Sequence, residues 1–269
     1  MPFALIAAAL AAASTPSAPA IGQPQLPDAD PAIWVVNDHD TTIYLFGTFH
    51  ALDGKSQWFN DEVKTAFVAS DELVLETIVP EWRPRGFFRP SNVPKVAEQP
   101  FKSGASFLAS TRLALSVGKS RGLSFEKGAD AVLRAAAQDA GKKVSGIESF
   151  EFQVEMFGKI PAARAPAPVA GESVDAVEKL SIVMIEMQAA WNRGDGEIFA
   201  TMLEGMRSTS PETYRMMFVD RNGRWADWIA NRLQQPGTVF VAVGAGHLAG
   251  PDSVQNKLAQ IGVRSARIN

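Results

Sequence analysis

The sequence predicts an α/β protein with a mostly parallel central sheet flanked by helices. Short continuous apolar runs alternate along the chain with amphipathic segments of helical length. The strongest runs read TIYLFG and VFVAV, a pattern typical of strands that are buried on both faces. The chain has 269 residues, of which 46% are hydrophobic, so it can bury a large core.

The predicted elements follow one another in a largely alternating order. The predicted strands are residues 32–36, 42–47, 72–76, 143–148, 239–243 and 263–268. The predicted helices are residues 58–70, 104–118, 128–140, 174–193, 196–206, 211–218, 223–233 and 251–260. In the helix at 174–193 a 3-4-3-4 spacing predicts one buried face, formed by Val177, Leu180, Met184, Met187 and Trp191.

The N-terminal residues predict export. Residues 1–20 contain an apolar stretch, too short to cross a bilayer, that ends in a small-residue cleavage site at Ala18-Pro19-Ala20. No basic residue precedes the stretch, so a disordered start is the alternative. Residues 30–269 are expected to form a single domain, periplasmic or secreted, without a transmembrane segment. The proline-rich residues 80–100 interrupt it as a long insertion, either a binding loop or mobile surface.

Composition excludes several kinds of site. The chain has no cysteine, so disulfides, thiolate metal sites and a cysteine nucleophile are excluded, and any metal must be held by His and carboxylates. The net charge of −3 is small and dispersed, so we expect no nucleic-acid partner. The chain also lacks the H-E-x-x-H signature of zincins.

Two of the three histidines occur in the same pattern, which is an apolar strand, a glycine, two residues and a histidine. Gly47 precedes His50 in this way, and Gly244 precedes His247 in a second copy that also contains Gly246. Glycines at these positions allow sharp turns and a close approach of the backbone. The third histidine, His39, lies in the polar turn NDHD and is expected to be solvated.

Four polar residues follow predicted strands: His50, Glu76, Glu148 and His247. Open α/β sheets build their sites at the carboxyl ends of strands, so we expect these residues to meet. Two imidazoles and a carboxylate with an open position are a known divalent-metal arrangement, and the second carboxylate could act as a base. Alternatively, each histidine only bonds to nearby backbone, and each glutamate caps a helix or pairs with an arginine.

Arg221 is a further candidate, in the run Asp220-Arg221-Asn222-Gly223. At the start of a helix it could bind a substrate carboxylate or stabilise an oxyanion. The alternative interpretation is a surface arginine beside an Asn-Gly turn.

The pairing of YLFGTFHAL with VFVAVGAGHLAGPDSV resembles the TraB/GumN (TraB/PrgY/GumN) family, whose hallmark is two G-x-x-H motifs at opposite ends of the domain. The resemblance extends to ELVLE, to GADAVLRAAAQDAGKKVSGIESFEFQ, to the Arg-Asn pair at 221–222 and to the final IGVRSARIN. It implies kinship with the Tiki metalloproteases and, more distantly, with erythromycin-esterase-like and ChaN-like proteins. The implied site residues are His50, Glu76, Arg221 and His247, with Glu148 matching less closely.

Three functional hypotheses follow. In the first, the protein is a metal-dependent hydrolase that acts on a peptide or a small molecule. His50, Glu76 and His247 would hold a divalent ion (Mn, Co or Zn), with Glu148 as base or supporting residue and Arg221 orienting the substrate. In the second, the protein sequesters a small peptide without cleaving it. In the third, it is a metal-free esterase-like hydrolase in which one histidine activates water.

Overall fold

The structure is a computed structural model that describes residues 26–79, 117–160 and 172–269. The predicted export signal at 1–20, the proline-rich insertion at 80–100 and most of the predicted helix at 104–118 lie outside these residues. Among the described helices, none combines the length and the apolar character needed to cross a membrane.

The described residues form one six-stranded sheet in the order β4-β3-β5-β2-β1-β6. The strands are β1 Ile33–Asn37, β2 Thr41–Thr48, β3 Glu72–Thr77, β4 Lys143–Glu148, β5 Gly237–Gly244 and β6 Ala266–Arg267. β4, β3, β5 and β2 run parallel to one another, whereas β1 pairs antiparallel with both β2 and β6. The predicted α/β class is confirmed, and the sheet is mixed because β1 and β2 join through a tight turn.

The helices agree with most of the predicted ones. They are α1 Asp61–Ala69, α2 Ala129–Asp139, α3 Phe150–Lys159, α4 Glu172–Asn192, α5 Glu197–Thr209, α6 Pro211–Tyr214, α7 Asp220–Arg232 and α8 Val254–Gln260. α3 is not among the predicted elements, although the Ser149 side chain caps it by accepting the N–H of Phe152 over 3.1 Å. The two helices predicted at 211–218 and 223–233 are continuous through a π-helical turn at Arg215–Val219.

Alternate residues of the central strands face two separate cores. Phe46 and Phe240 face the core that also contains Trp191 of α4, while Val239 and Val241 face the core under α7 and α8. Each such side chain contributes roughly 1.5–3 kcal/mol when fully buried. Trp191, predicted as core, also donates its Nε1–H to the carbonyl of Gly47 over 2.7 Å. This contact fixes α4 beside the first G-x-x-H motif.

Candidate active site

The carboxyl ends of the four parallel strands meet at one edge of the sheet, as predicted for a strand-end site. Thr48 at the end of β2 pairs with Gly244 at the end of β5. On the other side of β5, Thr77 of β3 pairs with Glu148 of β4. Because β3 lies between β4 and β5, Glu76 stands between Glu148 and Gly244.

The space beside Gly244 shows most directly that the predicted residues converge. A β-carbon on Gly244 would lie 3.3 Å from His50 Nε2 and 3.5 Å from Glu76 Oε2. The same position would lie 3.7 Å from Cδ2 of His247. The backbone N–H of Gly244 also donates to Glu76 Oε2 over 3.3 Å. Both motif histidines and the strand-end glutamate therefore surround one point that only a glycine leaves free.

The other two motif glycines bring backbone segments together. A β-carbon on Gly47 would lie 3.2 Å from the α-carbon of Ala245, so the two G-x-x-H motifs pack directly on each other. A β-carbon on Gly246 would lie 3.3 Å from the ring of Phe218. These glycines serve close packing.

His50 forms the open end of the site. Its Nδ1–H donates to Asp130 Oδ2 over 2.7 Å, and Thr48 Oγ1 donates to the other oxygen of Asp130 over 2.8 Å. The His50 side chain is 57% exposed. Partial desolvation lowers the pKa of His50, but the charge of Asp130, its hydrogen bond and the charge of Glu76 outweigh this and raise the pKa to about 9. In the protein alone, His50 is therefore protonated at neutral pH.

Close backbone packing holds Asp130 in place. The N–H of Ala129, at the start of α2, donates to the carbonyl of Phe49 over 3.0 Å. A β-carbon on Gly128 would lie only 2.0 Å from the carbonyl oxygen of His50, so no other residue fits there. The chain that carries Asp130 is thus in direct contact with the chain that carries His50.

His247 forms the buried end of the site and is only 5% exposed. Its Nδ1 lies 2.6 Å from Asn222 Oδ1, while Asn222 Nδ2 donates to the carbonyl of Asp252 over 2.8 Å. That network makes Nδ1 the protonated nitrogen and leaves a lone pair on Nε2. The ring packs against Trp225 and Phe218, with centroids 4.3 Å and 4.9 Å away. Burial lowers the pKa of His247 to about 3, so His247 is neutral.

Arg221 lies between the two ends and is only 1% exposed. Its Nη2 donates to Glu148 Oε2 over 2.7 Å and also bonds to Glu76 Oε1. Its Nη1 lies 3.3 Å from His247 Nε2, and its guanidinium is 4.8 Å from the ring centre of Trp225. Burial alone would raise the pKa of Glu76, but the positive charge of Arg221 outweighs this and holds the pKa near 2. The interpretation of Arg221 as a surface residue beside a turn is therefore wrong.

Glu148 has both carboxylate oxygens occupied by donors. Besides Arg221, it accepts from Trp225 Nε1 over 3.0 Å and from Gln153 Nε2 over 3.3 Å. Gln153 also donates to Glu76 Oε1 over 3.1 Å. The structure thus bears out the alternative that Glu148 pairs with an arginine, while its action as a base stays a prediction.

The predicted metal ligands do not form a tight cluster. Within residues 26–79, 117–160 and 172–269, groups of three whose ligand atoms all lie within 4.8 Å of one another occur at Asp38, His39 and Asp40 and at Asp28, Asp30 and Asp61. Both groups are exposed, as is common for acidic residues without a metal. His50, Glu76 and His247 do not meet that distance in the described part of the chain.

Sequence reasoning did not assign roles to Asp130, Asn222 or Gln153. Asp130 was visible only as the acidic residue in the first turn of a predicted helix, and Asn222 only as half of an Arg-Asn pair. Helix periodicity shows which face is apolar, but it does not show which strand end a first-turn residue will reach.

The motifs that converge here also identify the family. The model of the TraB/PrgY/gumN family matches residues 32–81 and 91–267, which include both histidine motifs, Glu76, Glu148 and Arg221. A search of curated proteins and a search of solved structures each returned no match. The family match covers most of the chain, and the protein belongs to the TraB/PrgY/gumN family.

Proposed function

We propose that this protein is an exported hydrolase that cleaves a peptide bond where the two G-x-x-H motifs meet. The observation that carries the proposal is that His50 Nε2 and Glu76 Oε2 face the same point beside Gly244. Because His50 is half exposed, water and a substrate carbonyl can reach that point. The proposal includes export through residues 1–20 and kinship in fold with Tiki, erythromycin-esterase-like and ChaN-like proteins.

His50 and Glu76 have complementary charges for this reaction. With its pKa near 2, Glu76 is a carboxylate at neutral pH and accepts a hydrogen bond from the attacking water. Without a bound ion, His50 is protonated because its pKa is near 9, and its Nε2–H donates to the carbonyl oxygen as negative charge develops there. As the water oxygen bonds to the carbonyl carbon, the water gives a proton to the Glu76 carboxylate. The C–N bond then breaks, and the leaving amine takes that proton from Glu76, which returns to the carboxylate.

A divalent metal ion is the proposed cofactor. Two histidines and a carboxylate are ligands that such ions bind. His50 uses its Nδ1 in a bond to Asp130, and His247 uses its Nδ1 in a bond to Asn222. Such bonds orient histidine ligands, so His50 and His247 would hold the ion through their other ring nitrogens, together with the carboxylate of Glu76. Bound there, manganese, cobalt or zinc would lower the pKa of a water molecule and polarise a carbonyl group.

A metal-free hydrolase is the second candidate, and the position of Arg221 favours it. The guanidinium bonds to Glu76 and lies 3.3 Å from His247 Nε2, so a permanent cation already contacts two of the three proposed ligands. An ion that used His247 would have to replace this contact. Without an ion, His50 and Glu76 act directly on water and substrate.

Metal analysis separates the two candidates. Purified wild type, His50→Ala and His247→Ala would be analysed for bound divalent metal and assayed on a peptide mixture with and without a chelator. Stoichiometric metal that both variants lose, with hydrolysis abolished by chelation, supports the metalloenzyme. Hydrolysis without metal and unaffected by the chelator supports the second candidate. Peptides that are retained but never cleaved would instead mean a sequestering protein and would overturn the hydrolase proposal.

Gly244→Ala tests the location of the site. The backbone at Gly244 has φ −52° and ψ 135°, which alanine adopts without strain, so the variant should fold. Its methyl group would occupy the point between His50 and Glu76, and we expect hydrolysis to fall by about 10²-fold. Gly223→Ala is the matched control, since a β-carbon there meets nothing within 4 Å. Full activity in Gly244→Ala would place the reaction elsewhere.

A further inference from the structure

A cavity of about 550 Å³ lies beside the segment that follows His50. It begins at Ala51, the residue after His50, and its apolar lining consists of Leu123, Phe125 and Met184. Lys119 and Glu126 supply the charged part of the lining. The volume and the mixture of apolar walls with a few polar groups are typical of pockets that bind small ligands.

Backbone hydrogen bonds fix this cavity relative to His50. The N–H of Leu52 donates to the carbonyl of Ser124 over 3.2 Å, and the N–H of Ser124 donates back to Leu52 over 2.9 Å. The Lys127 ammonium donates to the carbonyl of Asp53 over 2.9 Å. Residues 123–126, which form one wall of the cavity, directly precede the helix that carries Asp130, the partner of His50. A group bound in the cavity would be held at a constant distance from His50.

Two side chains give the cavity an adaptable apolar surface. Phe125 is 47% exposed, which is high for an aromatic residue. Met184 of α4 reaches the other wall, where a β-carbon on Gly118 would lie 2.8 Å from its terminal methyl group. Methionine is flexible and polarisable, so it can adjust to differently shaped apolar groups.

We infer that this cavity binds apolar side chains of the peptide substrate next to the scissile bond, with Phe125 and Met184 determining specificity. The inference rests on the proposed function for its orientation, because the cavity is bordered by Ala51, the residue that follows His50. Lys119 and Glu126 offer a donor and an acceptor for the polar backbone of the same peptide. The preferred substrate is therefore a peptide with an apolar side chain near the scissile bond.

Direct binding tests the inference independently of catalysis. N-acetyl-leucyl-leucine amide and N-acetyl-seryl-serine amide would be titrated calorimetrically into wild type, Phe125→Ala, Met184→Ala and Ile185→Ala. Burial of apolar side chains should make the leucine probe bind at least about tenfold more tightly to wild type. Phe125→Ala and Met184→Ala should each lose about fivefold of that affinity. Ile185→Ala is the matched control, since Ile185 follows Met184 on α4 and is exposed without lining the cavity.

The outcomes distinguish this inference from the proposed function. Equal affinity for the two probes, or the same loss in Ile185→Ala as in Phe125→Ala, overturns the cavity assignment. Hydrolysis of p-nitrophenyl acetate and p-nitrophenyl hexanoate would be measured in parallel with peptide cleavage. Turnover without any preference for the longer acyl chain would overturn the cavity assignment but would agree with the hydrolase proposal. Selective binding of the leucine probe without hydrolysis of any ester or peptide supports the cavity and overturns the hydrolase.

Discussion

The two G-x-x-H motifs place their histidines in opposite environments. His50 reaches solvent and donates to the carboxylate of Asp130, whereas His247 is buried and donates to the neutral amide of Asn222. The pKa of His50 rises to about 9 and that of His247 falls to about 3. The motif only brings each ring to the edge of the sheet. The surroundings then decide whether the ring is charged: the carboxylate of Asp130 keeps His50 protonated, and burial keeps His247 neutral.

Because of this contrast, the two ends of the site should have different roles. The charged His50 is on the solvent side, where the proposed substrate would bind, and the neutral His247 contacts Arg221 inside the protein. Arg221 in turn bonds to Glu76, whose other oxygen accepts from the N–H of Gly244 beside the proposed reacting point. A change at the buried end should therefore affect mainly stability, whereas a change at the open end should affect mainly catalysis.

Arg221→Met should have the largest effect, because it breaks the buried end. The substitution leaves the carboxylates of Glu76 and Glu148 without their shared cation, and removal of one partner from a buried ion pair typically costs about 3–5 kcal/mol. The free energy of unfolding from urea titrations measures the loss. Arg224→Met is the control, because Arg224 is exposed and meets Glu148 only at 3.5 Å, so it should cost less than about 1 kcal/mol. Equal losses in the two variants would contradict a central role for Arg221.

Asp130→Asn should have the second-largest effect. It gives His50 an amide partner, like the one that Asn222 provides for His247. The variant keeps the shape of the side chain but removes the charge that raises the pKa of His50, so that pKa should fall from about 9 to its ordinary value of 6.5 or below. We expect kcat/KM to fall by about 10–100-fold, as for other residues that orient a functional histidine.

The check on Asp130 is an NMR titration of the His50 ring together with the pH profile of hydrolysis. Asp139→Asn, at the exposed end of the same helix, should change neither. If the pKa of His50 stays near 9 in Asp130→Asn, another group sets its charge and the comparison between the two ends fails.

Because the pKa of His247 is lowered, the free energy of unfolding should depend on pH in the acidic range. Its pKa is depressed in the folded protein, so between pH 6.5 and about 3 the unfolded chain binds a proton that the folded protein does not. The free energy of unfolding should therefore decrease as the pH falls below 6.5, by at most about 1.4 kcal/mol per pH unit from this group. Glu76 should add a further loss only below about pH 4.5, because its carboxylate is the form that the fold stabilises.

His247→Gln isolates this contribution, because its amide can still donate to Asn222. The variant will be less stable overall, but the slope of the free energy of unfolding between pH 6.5 and pH 5 should become shallower than in wild type. Urea titrations at these two pH values give the slope. An unchanged slope would mean that His247 takes up its proton in the folded state and is not held neutral by burial.

The sequence predicted the strands and the strand-end residues of this site, but it did not predict which residues bond to the two histidines. Continuous apolar runs located β2 and β5, and the strand-end rule brought His50, Glu76 and His247 together. Periodicity could not show that β1 and β6 pair antiparallel, because an apolar strand looks the same in either direction. Likewise, Asp130 and Asn222 act through the way α2 and α7 dock, which is a property of the packed molecule.

His39→Ala should have the smallest effect and completes the comparison of the three histidines. His39 lacks the preceding glycine and buried strand end, lies in the turn between β1 and β2, and its side chain is 86% exposed, as the sequence predicted. Its neighbours Asp38 and Asp40 are at the surface as well, so the substitution should change the free energy of unfolding by less than about 0.5 kcal/mol. Hydrolysis and metal content should equal those of wild type. A loss of metal in His39→Ala would shift attention from the strand-end site to the acidic turn, since His39 and its two aspartates also offer three close ligand atoms.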